Sequence, residues 1–92
     1  MKIKAYRRFK KAYSTLPANI QLKVDRQLKI LLEDMRHPSL HTKKIKGETD
    51  IWEARIDFHY RLTFEIIEDT IFLRVVGNKK PSLRPLFTPP AP

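Results

Sequence analysis

Ninety-two residues, 41% of them hydrophobic, are enough for one small folded domain and leave little room for a second core. The chain has no cysteine, which excludes a disulfide framework, a thiolate metal site and a cysteine nucleophile, and which fits a reducing cytoplasm. Its formal net charge of +9 is unevenly spread: residues 1–46 hold 13 Lys and Arg against 3 Asp and Glu, and residues 47–92 hold 6 against 7.

The opening MKIKAYRRFKK is basic but no apolar run follows it, so it does not read as a signal peptide. No apolar run approaches the roughly 18 residues of a spanning helix. Residues 1–4 suit a short edge strand. From Ala5 to Leu16 the apolar residues Ala5, Phe9, Ala12, Tyr13 and Leu16 fall on one helical stripe. Pro17 stops that helix or starts the next. From Ala18 to Met35, Ile20, Val24, Leu28, Leu31, Leu32 and Met35 recur in steps of four and three, which predicts an amphipathic helix. Lys23, Arg26 and Lys29 lie off that stripe. So short a joint predicts an antiparallel helical hairpin.

Residues 37–50 are polar and read as a loop, with residues 43–46 extended in part and Gly47 as punctuation. The segment 51–77 then alternates apolar and polar residues with period two, giving strands over 51–57, 60–68 and 71–77. One face is core. The other carries Arg55, Arg61 and Arg74 beside Glu53, Thr63 and Glu65. After Gly77 five prolines fall within residues 81–92, which excludes a helix and predicts an extended tail, so the domain is expected over 1–80.

Strand registers follow from which residues must share a face. A two-residue turn at Asp69-Thr70 would set Glu65 opposite Arg74, Phe64 opposite Val75 and Arg61 opposite Asn78. A three-residue loop at 57–59 sets Arg55 directly opposite Arg61, whereas a loop at 58–60 sets it diagonally. Either way the two guanidinium groups are neighbours. Like charges so placed cost stability unless carboxylates neutralise them or an anion uses them. Glu53, Asp57 and Glu65 could serve the first purpose, and a phosphate the second. Arg74 is expected to pair with Glu65.

Trp52 and Tyr60 belong to the apolar face. Phe58 and His59 sit in the turn between strands, where His59 has the right chemistry for proton transfer. His37 and His41 form no metal-ligand pattern with each other or with a carboxylate. Two glycines cannot make a phosphate-cradling loop, and no Ser-His-Asp or Cys-His arrangement is legible. The basic N-terminal half favours a polyanionic partner: RNA, DNA, an anionic membrane surface or an acidic protein.

Two basic helices, then GETDIWEARI, then YRLTFEI, then a strand ending Val75-Val76-Gly77, resemble the RelE/ParE superfamily of toxin–antitoxin toxins, over roughly residues 5–80. The most specific matches are the tryptophan-led strand Ile51–Ile56 and the Tyr60-Arg61 pair. The resemblance implies an α+β microdomain, a helical hairpin packed on a small twisted antiparallel sheet. It implies a cytoplasmic toxin, monomeric alone or assembled with a cognate antitoxin, and no cofactor, metal or membrane. In the RelE-like branch the activity is ribosome-dependent mRNA cleavage by in-line attack of a ribose 2′-OH. In the ParE-like branch it is inhibition of DNA gyrase, and a degenerate member would only bind its partner.

For the RelE-like activity, the resemblance gives Arg61 the phosphate and Arg55 the transition-state charge, with Lys80 or His59 for proton transfer. Lys23, Arg26, Lys43, Lys44, Lys46 and Lys79 would contact ribosomal RNA or mRNA. The sequence departs from the family after the last strand. There Gly77-Asn78-Lys79-Lys80-Pro81 stands in place of a histidine, and Phe87 in place of a tyrosine.

Overall fold

The computed structural model describes residues 1–45 and 50–78. Its elements run β1 (Lys2–Ala5), α1 (Arg7–Ser14), α2 (Ala18–Glu33), a single 3₁₀ turn (Pro38–Leu40), β2 (Lys43–Lys44), β3 (Ile51–Arg55), β4 (Tyr60–Ile67) and β5 (Thr70–Asn78). The five strands form one sheet in the order β1-β5-β4-β3-β2. The three central strands are the antiparallel meander the alternation predicts. The first strand pairs in parallel with the last, Lys2 beside Thr70 and Ala5 beside Leu73. The fold is therefore α+β with a mixed sheet.

Ala5 belongs to β1 and not to the first helix. Its apolar side chain faces the core from the strand, and the chain turns into α1 only at Tyr6, whose backbone is extended. Pro17 precedes α2, where its carbonyl accepts from the N–H groups of Ile20 and Gln21. The second helix ends at Glu33, two residues short of Met35. Asp34 is extended there, with its carboxylate accepting from the Arg36 N–H. The hairpin is fastened by side chains: the Tyr13 hydroxyl donates to Asp25 at 2.8 Å and the Gln21 amide to the Tyr13 carbonyl at 2.9 Å. That bond to Asp25, with some burial, raises the Tyr13 pKa above the ordinary phenol value.

Both helices cover one face of the sheet. Phe9, Ile20, Val24 and Leu31 pack against Ala54, Ile56, Leu62, Phe64, Ile71, Leu73 and Val76, with Leu40 closing the end. Phe64 is fully buried at the centre, and truncating it to alanine would cost about 3–5 kcal/mol. Trp52 and Tyr60 flank this core, as their register requires. Leu32, on the predicted stripe, is exposed instead, and the polar Gln27 is buried.

The second hairpin turns one residue earlier than predicted. Glu68 and Asp69 form its two-residue loop, pairing Ile67 with Thr70 and Ile66 with Ile71. Glu68 alone takes a positive φ, 56°, the pattern of a II′ turn at its first central residue. The ladder then slips at a bulge. Phe64 pairs with Leu73 but Thr63 pairs with Val75, leaving Arg74 as the extra residue. The cause is legible in the burial pattern. Ile71 and Leu73 face inward, and without the extra residue Val76 would face outward. The earlier turn sets Glu65 opposite Phe72 rather than Arg74, and the turn and the bulge together set Arg61 opposite Gly77 rather than Asn78.

Candidate functional site

The second face of the sheet carries no described element. Across it run Lys43 from β2, Glu53 and Arg55 from β3, Arg61, Thr63 and Glu65 from β4, and Phe72 and Val75 from β5. Of the two registers open at the first hairpin, the structure has the one with the loop at 57–59. Arg55 is directly opposite Arg61, and the Ile56 N–H donates to the Tyr60 carbonyl at 2.9 Å. The loop is built by Asp57. Its carboxylate accepts from the N–H groups of His59 and Tyr60 at 2.8 and 2.9 Å and from the Lys23 ammonium at 3.0 Å. Partial burial raises the Asp57 pKa, but Lys23 and the two backbone donors outweigh it and hold the carboxyl below its ordinary value.

The same loop fixes Arg61. One nitrogen, Nη1, donates to the Asp57 and Tyr60 carbonyls at 2.8 and 3.1 Å, so a side chain only 13% exposed is locked against the sheet. Glu53 is the only carboxylate within 4.0 Å of any of these cations among the described residues. It stands 4.0 Å from Arg61 Nε and 3.7 Å from Lys43 Nζ. Arg55 Nη1 donates to His41 Nε2 at 3.3 Å, which requires the neutral imidazole with its proton on Nδ1. Arg55 Nε is buried without an acceptor, and Thr63 Oγ1 without a partner. Together His41, Thr42, Lys43, Glu53, Arg55 and Arg61 line a depression of about 390 Å³. Three cations against one carboxylate leave this depression with an excess of positive charge, the electrostatics that suit an oxyanion.

Behind this site stands Gln27, buried in α2. Its amide donates to the Arg55 carbonyl at 2.9 Å and to the Ser39 carbonyl at 3.3 Å. It thereby ties together the end of β3, which carries Arg55, and the 3₁₀ turn that leads to His41. His37 caps that turn by accepting from the Ser39 N–H at 3.2 Å.

The candidate residues separate as follows. Arg55, Arg61 and Lys43 converge on the depression. His59 does not line it, for the turn leaves it exposed with its ring edge-on to Phe58 at 5.1 Å. Lys23 is committed to Asp57, and Lys44 lies over the Trp52 ring at 5.8 Å. Arg26 is exposed on α2, without an ion-pair partner among the described residues. Lys46, Lys79 and Lys80 lie outside the described residues. Arg74 makes no ion pair with Glu65: the register sets Phe72 opposite that carboxylate, and the Tyr6 hydroxyl donates to one of its oxygens at 2.7 Å.

His41 is the residue that sequence reasoning missed, and register was the signal. The ladder that pairs Lys44 with Trp52 and Lys43 with Glu53, extended by two residues, carries position 41 to Arg55. Among the described residues no group of acidic or histidine side chains is arranged to hold a metal. No described helix is long and apolar enough to cross a membrane.

No family model and no curated protein matches the sequence. Solved structures do match in shape, and the fold is the one seen in RelE and YoeB toxins. The isolated RelE toxin of E. coli superposes with a TM-score of 0.70 at 21% identity, covering 89% of this chain and 87% of that one. RelE in the RelB–RelE antitoxin–toxin complex of Methanococcus jannaschii gives 0.70 at 24% identity, covering 84% and 91%. A YoeB/ParE toxin from Agrobacterium tumefaciens gives 0.74 at 13% identity, covering 86% and 99%.

Proposed function

We propose that this chain is the toxin of a toxin–antitoxin pair and that it cleaves mRNA on the ribosome. The observation that carries this reading is the excess of cations in the depression. Arg55 and Arg61 face each other on a sheet face that no described element covers, joined by Lys43 and opposed, among the described residues, by Glu53 alone. A fold does not hold two guanidinium groups side by side without either neutralising them or using them. The likeness to toxins solved with their antitoxins supports the partner.

In this reading the ribose 2′-OH loses its proton and attacks the adjacent phosphorus. The bond from phosphorus to the 5′ oxygen breaks, and that oxygen takes a proton. Arg61, locked by two carbonyls, holds the phosphate in line. Arg55 meets the charge that builds on the phosphorane oxygens. Of the proton transfers, given to His59 or Lys80 by the resemblance, proximity gives His41 the acid half: with Nε2 facing Arg55, its Nδ1–H is left to protonate the departing 5′ oxygen, and the 2′-OH proton passes to water. Arg26 and the exposed Lys43 extend the cationic surface toward ribosomal RNA, with salt-sensitive affinity.

The test is to induce the chain in cells and map mRNA 5′ ends. Codon-phased cuts that disappear with Arg61→Ala are expected. Intact mRNA with a DNA-damage response would overturn the reading in favour of gyrase inhibition, and unimpaired growth in favour of a member that only binds its partner.

A further inference from the structure

The open face carries a second depression, of about 370 Å³, lined by Tyr6, Arg8, Glu65 and Arg74. Three features built into the fold meet there. The Tyr6 ring stacks on Phe72, with centroids 5.6 Å apart and planes 20° apart, and is itself 42% exposed. Its hydroxyl donates to Glu65 at 2.7 Å, which fixes the ring and occupies one carboxylate oxygen. The phenol pKa is raised, first by that bond and then by burial and by the Glu65 charge, with Arg74 opposing. Finally, the bulge delivers Arg74 to this depression, and no carboxylate lies within 4.0 Å of it or of Arg8 among the described residues. Bulges commonly re-aim a side chain beside a functional site.

We infer that this depression is a second nucleotide subsite on the same RNA strand that Arg55 and Arg61 hold, a reading that rests on the function proposed above. A fixed, half-exposed aromatic ring suits a base, which stacks whatever its identity. Two guanidinium groups suit the phosphate beside it. The second oxygen of Glu65 is left to accept from the amino group of a stacked base. Spacing agrees with one continuous strand. Arg61 and Glu65 lie on the same face of β4, four residues and hence about 14 Å apart. That span is covered by about four stacked nucleotides, at about 3.4 Å each, and by fewer when the strand is extended. Val75 and Thr63 form the floor between the two depressions.

The experiment uses the full chain and fully 2′-O-methylated RNA, which cannot be cut, with binding read by fluorescence anisotropy at low salt. A probe of roughly two nucleotides fills only one depression, and one of about six nucleotides spans both. The longer probe should bind about tenfold more tightly. Tyr6→Ala and Arg74→Gln should each abolish that gain while leaving the short probe unaffected. Tyr6→Phe, which keeps the ring, should retain it and so report on stacking rather than folding. Arg61→Ala should weaken both probes. A length gain that survives Tyr6→Ala and Arg74→Gln overturns the subsite but leaves the proposed function standing. Failure of either probe to bind the wild-type chain overturns both. If Arg74→Gln weakens capture of an acidic peptide and leaves the RNA gain intact, the depression docks protein and the subsite is refuted.

Discussion

Replacing Gln27 with methionine should loosen the junction that holds Arg55 and His41 together. Methionine matches glutamine closely in length and shape, so the cavity term is small and the lost hydrogen bonds dominate. Two carbonyls, of Ser39 and Arg55, lose their amide donor. The Arg55 carbonyl sits where β2 has already ended at Lys43, so no neighbouring strand stands ready to replace Gln27. A part-buried polar group left unpaired costs about 1–3 kcal/mol, less what water recovers, giving about 2–4 kcal/mol for the pair. That is a large share of the 5–15 kcal/mol typical of a domain, and it corresponds to a fall in Tm of about 10–25 °C at this size. The assay is urea unfolding followed by the fluorescence of Trp52, the only tryptophan, which packs beside the core in β3. The midpoint should drop with the slope unchanged. A loss below about 0.5 kcal/mol would refute the argument, because it would mean that these bonds hold nothing.

Asp57→Asn should remove an acid dependence. A carboxyl whose folded pKa is depressed stabilises the chain above its unfolded value and loses that contribution as pH falls through the folded one. The wild-type unfolding midpoint should therefore decline below about pH 4, and the variant should be less stable at neutral pH with a flatter decline; an unchanged pH profile would count against Asp57 as the source. Glu68→Gly should stabilise by about 0.5–1 kcal/mol, since the φ of 56° at that turn suits glycine and strains a side chain. It should leave RNA binding unchanged, and destabilisation would argue that the Glu68 side chain has an unseen partner. Arg61→Lys should keep the charge but fail to restore cleavage, because an ammonium cannot span the Asp57 and Tyr60 carbonyls while also presenting a planar donor edge to phosphate. Full activity in cell-induced 5′-end mapping would show that charge alone suffices there.

Periodicity predicted the helix pair and the meander, and the registers it allowed made Arg55 and Arg61 neighbours while leaving open whether they face directly or diagonally. Apolar residues at helical spacing and at strand alternation need only one buried face to become visible, and Val24, Leu62 and Phe64 lie where that spacing requires. Three features escaped. The bulge at Arg74 follows from whether Val75 or Val76 enters the core, and two adjacent valines are equally apolar in a linear pattern. The pairing of β2 with β3 escaped because a strand of two lysines has no apolar alternation to announce it. That second omission hid His41, whose proximity to Arg55 depends on the ladder and on nothing in its immediate neighbours. Gln27 escaped for a related reason: a buried amide is legible only once the carbonyls it serves are in place.

The parallel pairing of β1 with β5 joins the first strand of the described domain to its last. A chain emerging from the ribosome has nothing for Lys2–Ala5 to pair with until Thr70–Leu73 has been made. The contact spans almost the entire domain, the kind of long-range closure that slows folding. Fragments ending before Thr70 lack both the partner of β1 and the Gly77 backbone opposite Arg61. For a chain proposed to attack translating ribosomes, this closure acts as a delay: the five-stranded sheet is complete only once β5 has joined both β4 and β1.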